Sequence, residues 1–173
     1  MYALVILDIQ VGLVHGQETP WRCEALLETI NELMDKARSA GAPIFLARHV
    51  GPADSPIAPD SALTQLAPEL RLAGGEVVFE KHRPNAFTRT GLADDLRALG
   101  ATGVVITGMK TQYCVDSTCR AARDLGFEAV LVADGHSCTD TAQMRAEQIV
   151  AHHHATLEGA FCEVVLGRDW TFR

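Results

Sequence analysis

The sequence predicts an α/β fold of three layers, α/β/α, built on a six-stranded, mostly parallel sheet. Three observations carry that prediction. Six short apolar runs alternate with stretches of helical periodicity, the order expected when helices connect parallel strands. The runs are apolar throughout instead of alternating with polar residues, as strands read when both faces of a sheet are covered. Asp8, Lys81, Cys114 and Asp134 all fall just past run ends, where open parallel sheets gather their ligands.

The strands are expected at residues 3–8, 43–49, 77–80, 104–107, 129–133 and 163–166. Between the first two, Leu26, Leu27, Ile30, Leu33, Met34 and Ala37 mark the inward face of a helix, with Thr19-Pro20 as cap and first position and Gly41 as stop. A second helix follows Thr88 or Thr90 and turns Leu92, Leu96 and Leu99 inward, and with Thr88 as the cap Phe87 and Leu92 form a hydrophobic staple. A third runs from Cys114, with Val115, Thr118, Cys119, Ala122 and Leu125 at helical spacing, to Gly126. The last begins near Asp140 and buries Ala146, Ile149, Val150, His153 and Leu157. Residues 51–75 form the one long irregular connection, with four prolines. A loop of that length is commonly functional, and it reads equally as a pocket wall or a subunit contact.

Composition sets the outer limits. The 173 residues fit one domain spanning 1–173, and with 47% hydrophobic and 21% charged residues the chain is of globular type. A net charge of −7 and the lack of a basic stripe argue against nucleic acid and anionic membrane as partners. No apolar run reaches membrane-spanning length, and the N-terminus enters a strand without a signal-peptide pattern. The five cysteines are odd in number and lack CxxC spacing, which points away from a disulfide framework or zinc cluster and toward a reducing, cytoplasmic setting.

The stretch from Gly103 to Gly126 carries the chemistry. Val104 to Thr107 reads as a buried strand, Gly108 breaks it, and Cys114 sits where strand becomes helix. There the helix dipole and free backbone N–H groups favour a thiolate, the nucleophilic form. As a small apolar residue Cys114 would equally serve as core filler, and the stretch alone leaves the two readings even.

Gly-x-x-Thr-x-x-Cys-Val-x-x-Thr-x-Arg-x-Ala-x-x-x-Gly, from Gly108 to Gly126, resembles the signature of the isochorismatase-like cysteine hydrolases. The resemblance extends over nearly the whole chain, since Asp8 after the first strand and Lys81 after the third match the family's other two motif positions. It implies the Rossmann-like strand order 3-2-1-4-5-6 and a catalytic trio: Asp8 as base and later acid, Lys81 as the cation that steadies Asp8 and the thiolate, Cys114 as nucleophile. It also implies a cis peptide bond at Met109–Lys110, and an oxyanion hole formed by the backbone N–H groups of Lys110 and Cys114.

Other residues are weighed beside that trio. Metal-binding relatives carry an Asp-x-His pair after the second strand, whereas here Ala47-Arg48-His49 retains only the histidine. One imidazole is not a metal site, so no metal and no cofactor is expected, and His49 is read as a pocket-wall or hydrogen-bonding residue. Three successive histidines, His152 to His154, point about 100° apart on a helix and are read as structural. Gln10, Phe87 and Tyr113 flank the trio and are pocket candidates. His136, after the turn-forming Asp134-Gly135, is a further substrate contact if it overhangs the site, although an incidental position is slightly favoured.

Together these readings predict a metal-independent cysteine hydrolase that cleaves a C–N bond of a small amide, carbamoyl compound or lactam through an acyl-thioester. The resemblance further implies a homodimer or larger homo-oligomer. Asp134-Gly135-His136-Ser137 resembles, faintly, members that open cyclic amides. Vinyl-ether hydrolysis of the isochorismatase type needs no thiol, and a non-catalytic member with a redox-responsive Cys114 is the alternative of a different class. A nucleotide module is weaker still, since no Gly-x-Gly-x-x-Gly follows the first strand.

Overall fold

The computed structural model describes residues 1–172. Six strands, β1 (Tyr2–Leu7), β2 (Ile44–His49), β3 (Val77–Lys81), β4 (Gly103–Met109), β5 (Glu128–Ser137) and β6 (Glu163–Val165), form one sheet in the order β3-β2-β1-β4-β5-β6. Every pairing is parallel. The order reverses between β1 and β4, which run side by side from Tyr2 opposite Gly103 to Leu7 opposite Gly108. The crevice beyond their carboxyl ends is therefore where a ligand site is expected.

Period-two geometry divides β1 between two cores. Ala3, Val5 and Leu7 join one cluster with Phe45, Leu96, Ile106, Cys119 and Leu131. Leu4 and Ile6 join the other, with Leu26, Ile30, Leu33 and Met34 of the helix Cys23–Ser39. Each buried Leu, Ile or Val contributes about 1.5–3 kcal/mol relative to exposure, so the central strands are anchored on both faces of the sheet. The helices in chain order are α1 (Val11–Val14), α2 (Cys23–Ser39), α3 (Leu92–Ala98), α4 (Asp116–Asp124) and α5 (Ala146–Leu157).

Long-range hydrogen bonds move several helix boundaries from their expected places. Trp21 N–H donates to Cys138 O, so the chain stays extended past Thr19-Pro20, and α2 begins at Cys23 behind Arg22, whose φ is 53°. Asp140 does cap α5, but from a distance: its Oδ1 accepts from Ala146 N at 2.7 Å while residues 141–144 make a turn. Helix α3 starts at Leu92, with Thr90 Oγ1 accepting weakly from Leu92 N at 3.4 Å; Thr88 is not its cap. Leu99 and Leu125, expected inward, are exposed at the helix ends, and His153 is only half-buried.

Strand β5 departs most from expectation. It runs ten residues, and its register with β4 jumps from Ile106–Leu131 to Gly108–His136, so β5 bulges through residues 132–135. Asp134 thus lies inside the strand, where its Oδ1 accepts from Gly167 N at 2.7 Å.

Candidate active site

Asp8 is the first residue past β1, and it is held at φ 54°, a left-handed conformation unusual for an aspartate. Its neighbour strand accommodates this through Gly108, at φ 117°, where an added Cβ would lie 2.1 Å from Leu7 O. Lys81 ends β3, two strands away from β1. Its side chain crosses the end of β2, where His49 is its registered partner. Cys114 is the fourth residue of a wide, π-type turn, Thr111–Val115, that leads from β4 into α4.

These three converge. Lys81 Nζ lies 2.9 Å from Asp8 Oδ2 and 3.2 Å from Cys114 Sγ. It also contacts His49 Nδ1 at 2.9 Å and donates to Arg83 O at 3.2 Å. Because an ammonium can only donate, His49 Nδ1 is the acceptor and the imidazole proton resides on Nε2. Asp8, His49 and Cys114 each place a ligand atom within 4.8 Å of the others, a spacing that would suit a metal ion, but the ammonium occupies the centre of that triangle. Asp8 Oδ1 is buried with no hydrogen-bond partner among the described residues.

Burial and charge together set the protonation states. Burial raises the Asp8 carboxyl above its usual range, opposed by the Lys81 charge. Burial, and then the Asp8 charge, pushes the Cys114 thiol up to about 12, again opposed by Lys81. His49 is lowered by burial and by Lys81. Burial and the Asp8 charge thus act against the thiolate that the strand–helix junction favours, and Lys81 acts for it. Sequence position identified the junction but not the burial or the Asp8 carboxylate that act against its dipole.

A cavity of ≈ 380 Å³ opens onto Cys114. Asp8, Gln10, His49, Lys110, Tyr113 and Cys114 all line it. Tyr113 stands at its mouth, 55% exposed. Gln10 also holds the wall together, donating to His49 O (3.1 Å) and Thr64 O (2.8 Å) while accepting from His49 N (2.8 Å). That clamp presses the 51–75 segment against the site, and Ile57 and Leu63 from it line the cavity. The long loop is thus a pocket wall, a role its sequence left open, because exposed apolar residues in a loop carry no directional signal.

Two candidates lie elsewhere. Phe87 is absent from the cavity lining and stacks on Phe127, centroids 5.9 Å apart, in the core. His136 also turns away. The β5 bulge buries it between Thr111 Oγ1 (2.9 Å from Nδ1) and His154 Nε2 (2.8 Å from Nε2), beside a separate cavity. The Met109–Lys110 peptide is cis.

A family model for the isochorismatase domain matches residues 2–167 of this chain. The chain belongs to the isochorismatase family. Its sequence is 30% identical over 167 residues to a secreted isochorismatase effector of Verticillium dahliae, covering 96% of this chain and 88% of the relative. A streptothricin hydrolase of Streptomyces noursei is 30% identical over 138 residues, which is 80% of this chain and 50% of that larger protein. Among solved structures, an isochorismatase from Pseudomonas putida KT2440 superposes with a TM-score of 0.88 at 29% identity, covering 96% of this chain and 88% of that one. This isochorismatase-family hydrolase has the strand order 3-2-1-4-5-6, and its relatives include a ureidoacrylate amidohydrolase of Variovorax paradoxus, 37% identical over 70 residues, which is 40% of this chain and 28% of that protein. No helix among the described residues is long and apolar enough to cross a membrane.

Proposed function

We propose that this isochorismatase-family hydrolase cleaves the C–N bond of a small amide, carbamoyl compound or lactam by covalent catalysis at Cys114. The observation that carries the reading is the buried cluster in which one ammonium, Lys81, contacts both the Asp8 carboxylate and the Cys114 sulfur. A carboxylate with an unpartnered oxygen beside a protonated thiol is an acid–base pair awaiting a substrate. The amidases and streptothricin hydrolase among the relatives lend the C–N specificity.

In the proposed sequence, Asp8 accepts the thiol proton as Cys114 Sγ attacks the carbonyl carbon. The resulting oxyanion is held by the backbone N–H groups of Lys110 and Cys114. Collapse breaks the C–N bond, and the departing amine or ammonia leaves with the proton from Asp8. A water then gives its proton to Asp8 and attacks the thioester carbonyl, releasing the acid and returning the proton to Sγ. Throughout, Lys81 offsets whichever neighbour is anionic. No metal enters this scheme, since the three donors that would bind one already surround the ammonium. With all five cysteines free, we place the reaction in a reducing compartment such as the cytoplasm.

Ammonia release across a panel of small amides, ureides and cyclic amides tests the proposal. Turnover should survive chelator and vanish in Cys114→Ala. Hydrolysis of every active substrate by Cys114→Ala at the wild-type rate would overturn it.

A further inference from the structure

The lining of the Cys114 cavity includes Lys110, whose ammonium pairs with no carboxylate among the described residues and lies beside Thr139, where a second cavity adjoins the first. The Asp8 carboxylate is matched by Lys81 at 2.9 Å. His49 faces that same ammonium and is lowered in pKa by burial and by Lys81, so it adds no charge. Leu13, Ile57, Leu63, Pro84 and Tyr113 supply apolar surface. Lys110 remains. Its Nζ donates to Thr139 Oγ1 at 3.1 Å and has no carboxylate within ion-pair distance among the described residues. An ammonium has three N–H donors, so its capacity is only partly used.

Lys110 is also placed at a junction. A second cavity of ≈ 200 Å³ shares Gly12, Leu13 and Lys110 with the first, and adds Gln17, Glu18 and Thr139. Glu18 is exposed and lines this outer space but not the Cys114 cavity, whose acidic wall residue, Asp8, is paired with Lys81. Apolar walls reduce screening and lengthen the reach of the charge. In a chain of net charge −7, a cation left in excess at a cavity wall is a selective feature, because most of the surface repels the same ligand.

We propose that the Lys110 side chain is a specificity residue that recognises an anionic group, a carboxylate, carried by the substrate at the end remote from the scissile carbonyl. The proposal rests on the reading of the Cys114 cavity as the substrate site. It narrows the substrate to acid-bearing amides or ureides and disfavours neutral and cationic ones. The backbone N–H of Lys110 is a separate matter and is retained in every variant used below.

The test is equilibrium binding, which separates recognition from chemistry. In a Cys114→Ala background, which prevents thioester formation, calorimetry at low salt would compare the monoamides succinamate, glutaramate and adipamate with their uncharged diamides. The three lengths cover the unknown span between carbonyl and ammonium. At least one acid amide should bind about tenfold more tightly than its diamide, as a charge-assisted hydrogen bond provides. Lys110→Met and Lys110→Gln should each abolish that preference, Lys110→Arg should keep most of it, and added salt should shrink it. Equal binding of acid amide and diamide at all three lengths, or a preference that survives both Lys110→Met and Lys110→Gln, would overturn the proposal. Undiminished turnover in Cys114→Ala sinks the nucleophile instead, and leaves the binding result for Lys110 to be read on its own.

Discussion

Lys81 Nζ sits 2.9 Å from Asp8 Oδ2 in a site where neither side chain reaches solvent, at 0% and 1% exposure. The pair joins residues from strands that are not neighbours in the sheet, with His49 of the intervening strand as a third contact. Breaking such a pair from one side leaves an unmatched buried charge, which typically costs about 3–5 kcal/mol. Lys81→Met should lower unfolding stability by roughly that amount in denaturant titration. The double variant Asp8→Asn/Lys81→Met should lose clearly less than the sum of the two singles, because it leaves no ion behind. Additive losses would mean the two groups do not depend on each other.

Cys114 alkylation should reveal the charge that Asp8 imposes on it. Burial and the Asp8 carboxylate hold the thiol at about 12. Asp8→Asn removes the anion that adds to the effect of burial, while Lys81, which lowers the thiol, stays in place. The pH inflection for iodoacetamide labelling of Cys114, followed by peptide mass, should therefore move to lower pH in Asp8→Asn. Turnover should fall at the same time by about 10²–10⁴, the usual range for losing a general acid–base. An inflection unmoved or raised in the variant would contradict the assignment.

Much of this was legible in the residues themselves, and the failures share one cause. Unbroken apolar runs announced the six strands, and the motif resemblance singled out Asp8, Lys81 and Cys114 beyond the ends of three of those runs. What the sequence did not contain was direction. Phe87 follows Lys81 in the chain and His136 follows the fifth apolar run, yet one stacks on Phe127 and the other bonds to His154. Asp134-Gly135 reads as a turn, but β6 and Gly167 keep that segment in the sheet as a bulge. The thiol's protonation likewise depends on Asp8, more than a hundred positions earlier in the chain, and no local pattern could report it.

Gly108→Ala should be among the most damaging small substitutions in the chain. The new methyl would meet Leu7 O at 2.1 Å and Leu7 N at 2.6 Å, at a φ of 117° that L-residues rarely adopt. Both contacts are backbone atoms of the strand that delivers Asp8, so relief requires moving β1 against β4. A loss of at least about 2–3 kcal/mol is expected from the clash and strain together, with turnover falling further than stability alone explains. Gly74→Ala, where φ is 87° but nothing lies within 4 Å, is the control that isolates strain from contact. Equal effects at the two positions would remove the close approach as the reason for glycine at 108.

Acid should release the segment that carries the chain into β3, and Glu76 is the group that reports it. Burial alone would raise its carboxyl, but the Arg38 guanidinium and the backbone N–H groups of Ala73 and Gly74 outweigh that and hold it at about 2. Arg38 Nη2 is 2.7 Å away, and the Glu76 side chain is 4% exposed. A folded-state pKa below the unfolded value contributes stability above the unfolded pKa and loses it as pH falls through the folded one. The contribution of this group should thus be complete at neutral pH and fade from about 4.5 down to about 2. Glu76→Gln should cost on the order of 1–2 kcal/mol at pH 7, after allowance for solvent screening of the Arg38 partner. It should also flatten the acid limb of the stability–pH curve while leaving the Cys114 labelling inflection in place. An acid limb as steep in the variant as in the wild type would show that another carboxylate governs it.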